Sequence, residues 1–543
     1  MKRLPIVTVL AVVAVAIVVV ASGVFGGSPA PSPSPVAQAS VGSPPASAPY
    51  ATASAATSPA AAATQLPLAD IPIVPVVQFR TQQDRVGRDE VVATLAGTSK
   101  TYESLELVDS EADAILAAIG VSRPADASRV VLAKDAAKVS KDLAKNRKRL
   151  AFLRADTVGP SVRALAWGER ALFGVGAVKS LAEWKLTASL PIATLPDGSA
   201  AAPFDPATTW TLVAGGDIML DRGVAETLKI KGKGADFPFD GGTAEITSRC
   251  KDCSAFGWDL PRTRRTGNGG VVRELIEGAD LAIANFENPA PDNFRYHTSG
   301  TVFSADPKLI KGLADAGIDY VGLANNHIRD AGGAGILQTI ANLKDFGIRS
   351  GGAGKNIAAA RKPAIMDAGE IKVAILAYDT IAKYYAANPD RPGSAIMSAK
   401  VVKSDVKKAR DAGADLVIVF PHWGTEYDPT PVPGQQALAR AAIDAGADIV
   451  IGNHAHWAGA MEVYKGKPIW YALGNFVFDQ TWSEPTMEGI TLELTFRGAD
   501  LVQIHMRPHI ILDKAQPNFL DPRGDGRVVM GQVFDASKGL LGW

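Results

Sequence analysis

The sequence predicts a layered α/β domain over residues 207–515, and three observations carry that expectation. First, one unit recurs four times: a helix end, a glycine, an acid, then a short apolar strand. Its copies are Gly278-Ala279-Asp280-Leu281, Gly317-Ile318-Asp319-Tyr320, Gly413-Ala414-Asp415-Leu416 and Gly446-Ala447-Asp448-Ile449. Glycine after a helix fits a left-handed cap, which costs other residues steric energy. Second, the strands that follow, such as Val417-Ile418-Val419-Phe420, are apolar on both faces. Strands covered by helices read this way. Third, polar residues sit at the carboxyl ends of these strands, where open α/β sheets gather their ligands.

The preceding elements are of another kind. Lys2 and Arg3 lead an apolar run from Leu4 to about Val24. Residues 1–25 are therefore expected to be a signal peptide or a membrane anchor. Residues 26–70 are mostly Ala, Pro and Ser, too poor in apolar bulk to offset chain entropy, and read as a disordered stalk. Residues 71–195 predict a smaller α/β domain. Ile73-Val74-Pro75-Val76-Val77 reads as a strand with a proline at its edge, and Ser110 to Ile119 as a helix. Val130-Val131-Leu132 reads as a strand, and Lys134 to Lys145, Val162 to Ala171 and Lys179 to Trp184 as helices. Leu195 to Pro206 is a linker.

After Glu488 the period changes to two. Ile490, Leu492, Leu494 and Phe496, then Val502, Ile504 and Met506, predict an antiparallel hairpin at a sheet edge. Residues 516–543 are taken as a tail. The two cysteines, Cys250 and Cys253, are too few for a thiolate zinc site. They fit a disulfide in an exported protein and a redox pair in a cytosolic one; the N-terminal segment favours the disulfide.

Lys plus Arg equals Asp plus Glu, at 56 each, so no global field draws the chain to nucleic acid. The chemistry lies at the strand ends. The strand from Thr211 ends in Asp217, and that from Leu281 ends in Glu287. Tyr320-Val321-Gly322-Leu323-Ala324 leads to Asn325, Asn326 and His327. The strand from Leu416 ends in His422, that from Ile449 in His454 and His456, and that from Ile469 in Asn475. A lone strand-end histidine is usually structural, and Asp217 alone could cap a helix. Five strand ends bearing such residues together point instead to one site. Mixed Asp, Glu, Asn and His donors suit a divalent Zn, Mn or Fe ion. Asp330, three residues after His327, is placed to orient that imidazole. Glu426 and Tyr427 follow His422 and are placed to meet substrate. His297, His505 and His509 fall outside this pattern.

Six motifs, in order, resemble those of the CapA family. They are Gly216-Asp217-Ile218-Met219-Leu220, Asn285-Phe286-Glu287-Asn288-Pro289, Ala324-Asn325-Asn326-His327 with Asp330, His422-Trp423-Gly424-Thr425-Glu426-Tyr427, Gly452-Asn453-His454-Ala455-His456 and Leu473-Gly474-Asn475-Phe476. That family is linked to poly-γ-glutamate capsule synthesis and export and resembles calcineurin-like metallophosphoesterases in fold. The resemblance implies Asp217, Glu287, Asn326, His422, His454 and His456 as metal ligands. It implies His327, with Asp330, as the acid or electrostatic stabiliser, and Asn325, Glu426, Tyr427 and Asn475 as substrate contacts. Met219 stands where a phosphoesterase has a ligating histidine, and Glu287 where it has an aspartate.

The expected function is extracytoplasmic, metal-dependent hydrolase-like chemistry on a γ-glutamyl or envelope polymer. The chain would be membrane-anchored or secreted and would act beside other capsule-synthesis proteins. The rival readings are a non-enzymatic factor that binds or exports the anionic polymer, and a generic metallophosphoesterase.

Overall fold

A computed structural model describes residues 66–193, 195, 199 and 201–542. The N-terminal apolar run and nearly all of the Ala/Pro/Ser stretch lie outside the described residues. No helix among the described residues is long and apolar enough to cross a membrane.

The main α/β region is built from two sheets. The long one runs, in spatial order, Leu260–Gly267, Thr243–Cys250, Gln516–Leu520, Asp500–Leu512, Glu488–Arg497, Thr209–Ile218, Leu281–Phe286, Tyr320–Gly322 and Arg349–Gly351, with Asn475–Val477 also pairing Thr209–Ile218. The second runs Ala364–Ala368, Ile371–Asp379, Leu416–His422, Ile449–Ile451, Lys467–Trp470 and Met461–Tyr464. Alternating side chains on each strand feed different cores, because successive residues point to opposite faces. Leu212, Ala214, Leu281 and Ile283 meet Val373, Ile375, Ile418 and Ile449 in a core between the sheets. Val213, Ala282, Ala284 and Val321 face helices through Leu275, Leu313 and Ile336. Val417, Val419 and Val450 face helices through Val402, Val406 and Ala439. The layers are therefore helix, sheet, sheet, helix, which is why these strands read as apolar on both faces.

The recurring acids have one shared job. Asp280 accepts the Thr211 N–H at 2.7 Å, Asp319 that of Ala282 at 2.8 Å, Asp415 that of Lys372 at 2.8 Å and Asp448 that of Val417 at 2.8 Å. Each carboxylate pairs the first free donor of the neighbouring parallel strand, so the four set sheet register. The glycines differ among themselves. Gly317, Gly413 and Gly446 take positive φ, while Gly278 is right-handed. A Cβ on Gly278 would lie 2.5 Å from Val175, so close approach to the N-terminal region selects that glycine.

The N-terminal region forms its own sheet, ordered Val130–Ala133, Ser104–Val108, Arg149–Arg154, Leu68–Gln78 and Val162–Ala164, with Thr187–Pro191 on the first half of Leu68–Gln78. Pro75 lies mid-strand, not at an edge; its carbonyl accepts from Leu165 where the neighbouring strand breaks off. Residues 162–171 are not a helix. Val162 pairs with Gln78, and Gly168 at φ +61° ends the run. Only a short 3₁₀ turn, Leu181–Glu183, forms in 179–184, because the Trp184 indole N–H is drawn to Ile73 and Leu186 carbonyls. Glu493 seats this region on the main one by accepting the Val175 N–H at 2.7 Å and the Arg507 guanidinium at 2.6 Å. Burial works to raise the Glu493 pKa, but Arg507 and His505 outweigh it and hold it well below the usual range.

Two further expectations change. The hairpin of Glu488–Arg497 and Asp500–Leu512 is internal: Glu488–Arg497 pairs Thr209–Ile218, and the sheet continues beyond Asp500–Leu512. Residues 516–543 are no tail. Gln516–Leu520 is one of those continuing strands, and helix Gly526–Ala536 puts Val529, Met530 and Val533 into the inter-sheet core. Gln516–Leu520 follows Leu512 directly as its antiparallel partner, whereas Thr209–Ile218 lies far off in sequence, where periodicity could not reveal it.

Asp319→Ala should cost about 1–3 kcal/mol in urea unfolding, since a buried strand donor loses its acceptor. Asp319→Asn, whose amide oxygen still accepts, should cost clearly less; equal losses would remove the hydrogen bond as the cause.

A candidate metal centre at the sheet rim

The two sheets bring their parallel strands to one rim. Thr209–Ile218 delivers Asp217, and the turn after Leu281–Phe286 delivers Glu287. The loop after Tyr320–Gly322 carries Asn325, Asn326 and His327. From the second sheet, Leu416–His422 ends on His422, and the turn after Ile449–Ile451 carries His454 and His456. Gly216 allows the convergence: a Cβ there would lie 1.9 Å from the Gly474 carbonyl oxygen. His454 sits at φ +93° and His456 at φ +56°, a left-handed backbone rarely held by non-glycine residues. Such strain collects at functional sites.

Two groups of three potential ligands share one residue. Glu287, His422 and His454 form one; Asp217, Glu287 and His456 form the other; all five are buried. The His422 Nε2 lies 2.7 Å from Asn326 Oδ1, 2.9 Å from His454 Nδ1 and 3.5 Å from Glu287 Oε1. His456 reaches Asp217 at 3.3 Å and Glu287 at 3.7 Å. Neither carboxylate oxygen of Glu287 has a hydrogen-bond partner, and both are buried. Burial, then the nearby Asp217, raises the Glu287 pKa well above its ordinary value. Burial, then neighbouring imidazoles, lowers His422 far below 6.5 and His454 to about 3. Neutral imidazoles beside an uncompensated buried carboxylate fit a divalent cation. Met219 adds no donor, since its sulfur accepts the Asp221 N–H.

The remaining expected residues divide by environment. Asp330 accepts from His327 Nδ1 at 2.9 Å, which leaves Nε2 as the lone pair, 3.0 Å from Asn326 Nδ2. Glu426 and Tyr427 line a cleft of about 370 Å³ that opens on His327 and His456. Asn325 and Asn475 do not face that cleft. Asn325 is fully buried, donating to the Phe286 carbonyl and accepting the His327 N–H. Asn475, also buried, accepts from His456 Nδ1 at 2.9 Å and donates to Thr486 and Gln480. Both hold other site residues in place. Asn475 opens the strand Asn475–Val477 rather than ending the one before it.

Four functional positions escaped the strand-end rule. Asn285 donates to Asp217 at 2.7 Å and lies 3.2 Å from His422 Nδ1. It precedes Glu287 by two residues, the one signal that could have flagged it. Asp221 accepts from His297 Nδ1 and from the Ser304 N–H, fixing the loop at the cleft mouth. Arg222 and Asp479 pair at 2.5 Å across that mouth, from distant parts of the chain. His297 is thus a loop anchor, while His505 contacts Arg163 at the N-terminal region.

His509 lies beneath the site, its Nε2 2.8 Å from the Asn475 carbonyl oxygen. Burial lowers its pKa from 6.5 to about 4. The unfolded chain therefore binds the proton first as pH falls, so stability present at pH 7 is lost between pH 6.5 and 4. The loss should reach roughly 3 kcal/mol at pH 4 from this residue, and His509→Gln should flatten the pH dependence of urea unfolding. An unchanged slope in the variant would assign it elsewhere.

Residues 211–480 match the family model described as bacterial capsule synthesis protein PGA_cap. The chain is 34% identical over 298 residues to capsule biosynthesis protein CapA of Bacillus anthracis, covering 51% of this chain and 70% of that one. It is 32% identical over 292 residues to a probable polyglutamine synthesis accessory protein of Mycobacterium tuberculosis, covering 50% and 74%. The crystal structure of the calcineurin-like phosphoesterase YfkN from Bacillus subtilis aligns at a TM-score of 0.33 and 13% identity, over 60% of this chain and 96% of that one. By its matched segment and these relatives, the chain belongs to the bacterial capsule synthesis protein family PGA_cap, the CapA family.

Proposed function

We propose that this protein serves poly-γ-glutamate capsule synthesis through metal-dependent, hydrolase-like chemistry on a γ-glutamyl or envelope polymer. One observation carries the reading. Glu287 is common to both ligand groups, and its buried oxygens have no hydrogen-bond partner within the protein. Asp217, Glu287, His422, His454 and His456 would hold the ion or ions, with Asn326 Oδ1 beside His422. A bound Zn, Mn or Fe ion would supply Lewis-acid polarisation and an activated water.

The chain's own groups define the rest. His327 Nε2 accepts a proton at the cleft wall, and Asp330 stabilises the imidazolium that results. Asn326 donates to that same nitrogen in the resting state and aligns the ring. The Asn475 amide, fixed by Thr486 and Gln480, keeps the proton of His456 on Nδ1, so Nε2 faces Glu287. An extracytoplasmic place, with membrane attachment through residues 1–25, belongs to the same proposal. The apolar run from Leu4 and the Cys250–Cys253 disulfide support it, since disulfides persist in oxidising compartments. The rival reading is a factor that binds the polymer without turnover; Met219 counts against a generic phosphoesterase.

Purified protein should contain near-stoichiometric divalent metal by mass spectrometry, and His422→Ala with His454→Ala should lose it. His327→Ala should keep the metal while turnover of γ-glutamyl oligomers falls about 10²–10⁴-fold. Metal-free protein after reloading would overturn the metal centre; metal and binding without turnover would favour the polymer-binding factor.

A further inference from the structure

The hairpin of Thr243–Cys250 and Leu260–Gly267 is the edge of the long sheet, and the Cys250–Cys253 disulfide staples its tip. That tip carries Phe256, 72% exposed, and Trp258, 39% exposed. They do not project at random. Phe256 meets the edge of Trp482 at 5.5 Å between ring centres, and Trp258 meets Trp457 at 6.0 Å and Trp482 at 6.4 Å. Trp482 in turn meets Tyr427 at 4.9 Å, and Tyr427 lies 6.0 Å from the His456 ring. A continuous aromatic shelf thus runs from the stapled tip to a metal-site histidine. Arg249 locks it in place with two hydrogen bonds to Glu484, two residues after Trp482.

We infer that this shelf is a saccharide subsite, which seats a pyranose ring of an envelope glycan beside the metal centre. Aromatic faces carry negative quadrupole charge, and the C–H face of a pyranose meets it with weakly positive hydrogens. The adjoining cleft supplies hydroxyl and amide groups for sugar hydroxyls: Thr298, Ser299, Thr301, Gln480 and Tyr427. Its charge does not suit a polyanion. Arg222 is the one Lys or Arg in the lining; it is paired with Asp479 and also donates to the Gly300 carbonyl. Glu426 adds a further negative charge to that lining. Of the shelf, Tyr427 and Trp482 line this cleft, while Phe256, Trp258 and Trp457 extend it beyond the lining, on the hairpin side where Lys251 and Arg262 also lie. The inference rests on the cleft being the substrate site of the proposed function. It selects, between a γ-glutamyl chain and an envelope glycan, the group that binds at this wall.

The test is isothermal titration of the full chain with a β-1,4-linked N-acetylglucosamine tetramer and, separately, a γ-glutamyl tetramer. Saturable binding of the saccharide is expected, weakened at least about tenfold by Phe256→Ala with Trp258→Ala while metal content and thermal unfolding stay unchanged. Trp258→Phe, which keeps an aromatic face, should restore most of the affinity relative to Trp258→Ala. No saccharide binding by folded wild-type protein, or equal binding by the double variant, overturns the subsite. So does γ-glutamyl binding that depends on Phe256 and Trp258. The His422→Ala, His454→Ala variant separates the two readings. If it, or a metal-free wild type, still binds saccharide, the subsite stands even where the metal centre fails.

Discussion

The structure of the site depends on one electrostatic constraint: two carboxylates, Asp217 and Glu287, are fully buried beside three buried histidines. Taking a carboxylate out of water is costly unless hydrogen bonds or an opposite charge replace its hydration. Asp217 meets that condition within the protein, through Asn285 and the His454 N–H. Glu287 does not, and His422 and His454 beside it are held neutral by burial. The missing positive charge is what a divalent ion would bring, and the Asn475 amide keeps the His456 proton on Nδ1 so that Nε2 faces Glu287.

That arrangement is costly to hold, and the scaffold explains how it persists. Four aspartates pin the starts of neighbouring parallel strands, so the opposite ends arrive at the rim in fixed register. The strained backbones of His454 and His456 lie just beyond Ile449–Ile451, which is paired on both sides. His509, on the internal hairpin, supports the same point through Asn475, which opens the strand Asn475–Val477 and holds His456. Stability at one end of the strands thus underwrites chemistry at the other.

The cleft outside the candidate metal centre follows different rules. Its walls come from loops far apart in sequence: residues 298–303, Tyr427, and the segment from Phe478 to Trp482. Arg222 and Asp479 close one side by a short ion pair, with Phe303 packed beneath the guanidinium. The stapled hairpin adds aromatic surface at the other. The rim fixes what chemistry is available, whereas these loops fix what can reach it.

Much of this was legible in the chain. The helix–glycine–acid–strand unit announced parallel layers, and a polar residue at each strand end marked the rim, because side-chain type at a buried strand terminus is a local property. Asp217, Glu287, His422, His454 and His456 could therefore be named from sequence. Asn325 and Asn475 were visible too, but whether an amide faces substrate or braces a neighbour depends on what packs against it. Asp221, the Arg222–Asp479 pair, the aromatic shelf and the helix Gly526–Ala536 join positions tens to hundreds of residues apart. The sequence by itself determined the periodicity, the layers and the donor chemistry of the rim, since each is written within a single strand or turn. Only the tertiary structure decided that Glu287 is shared by two candidate ligand groups and lacks a hydrogen-bond partner, because burial and charge balance arise only when distant strands meet.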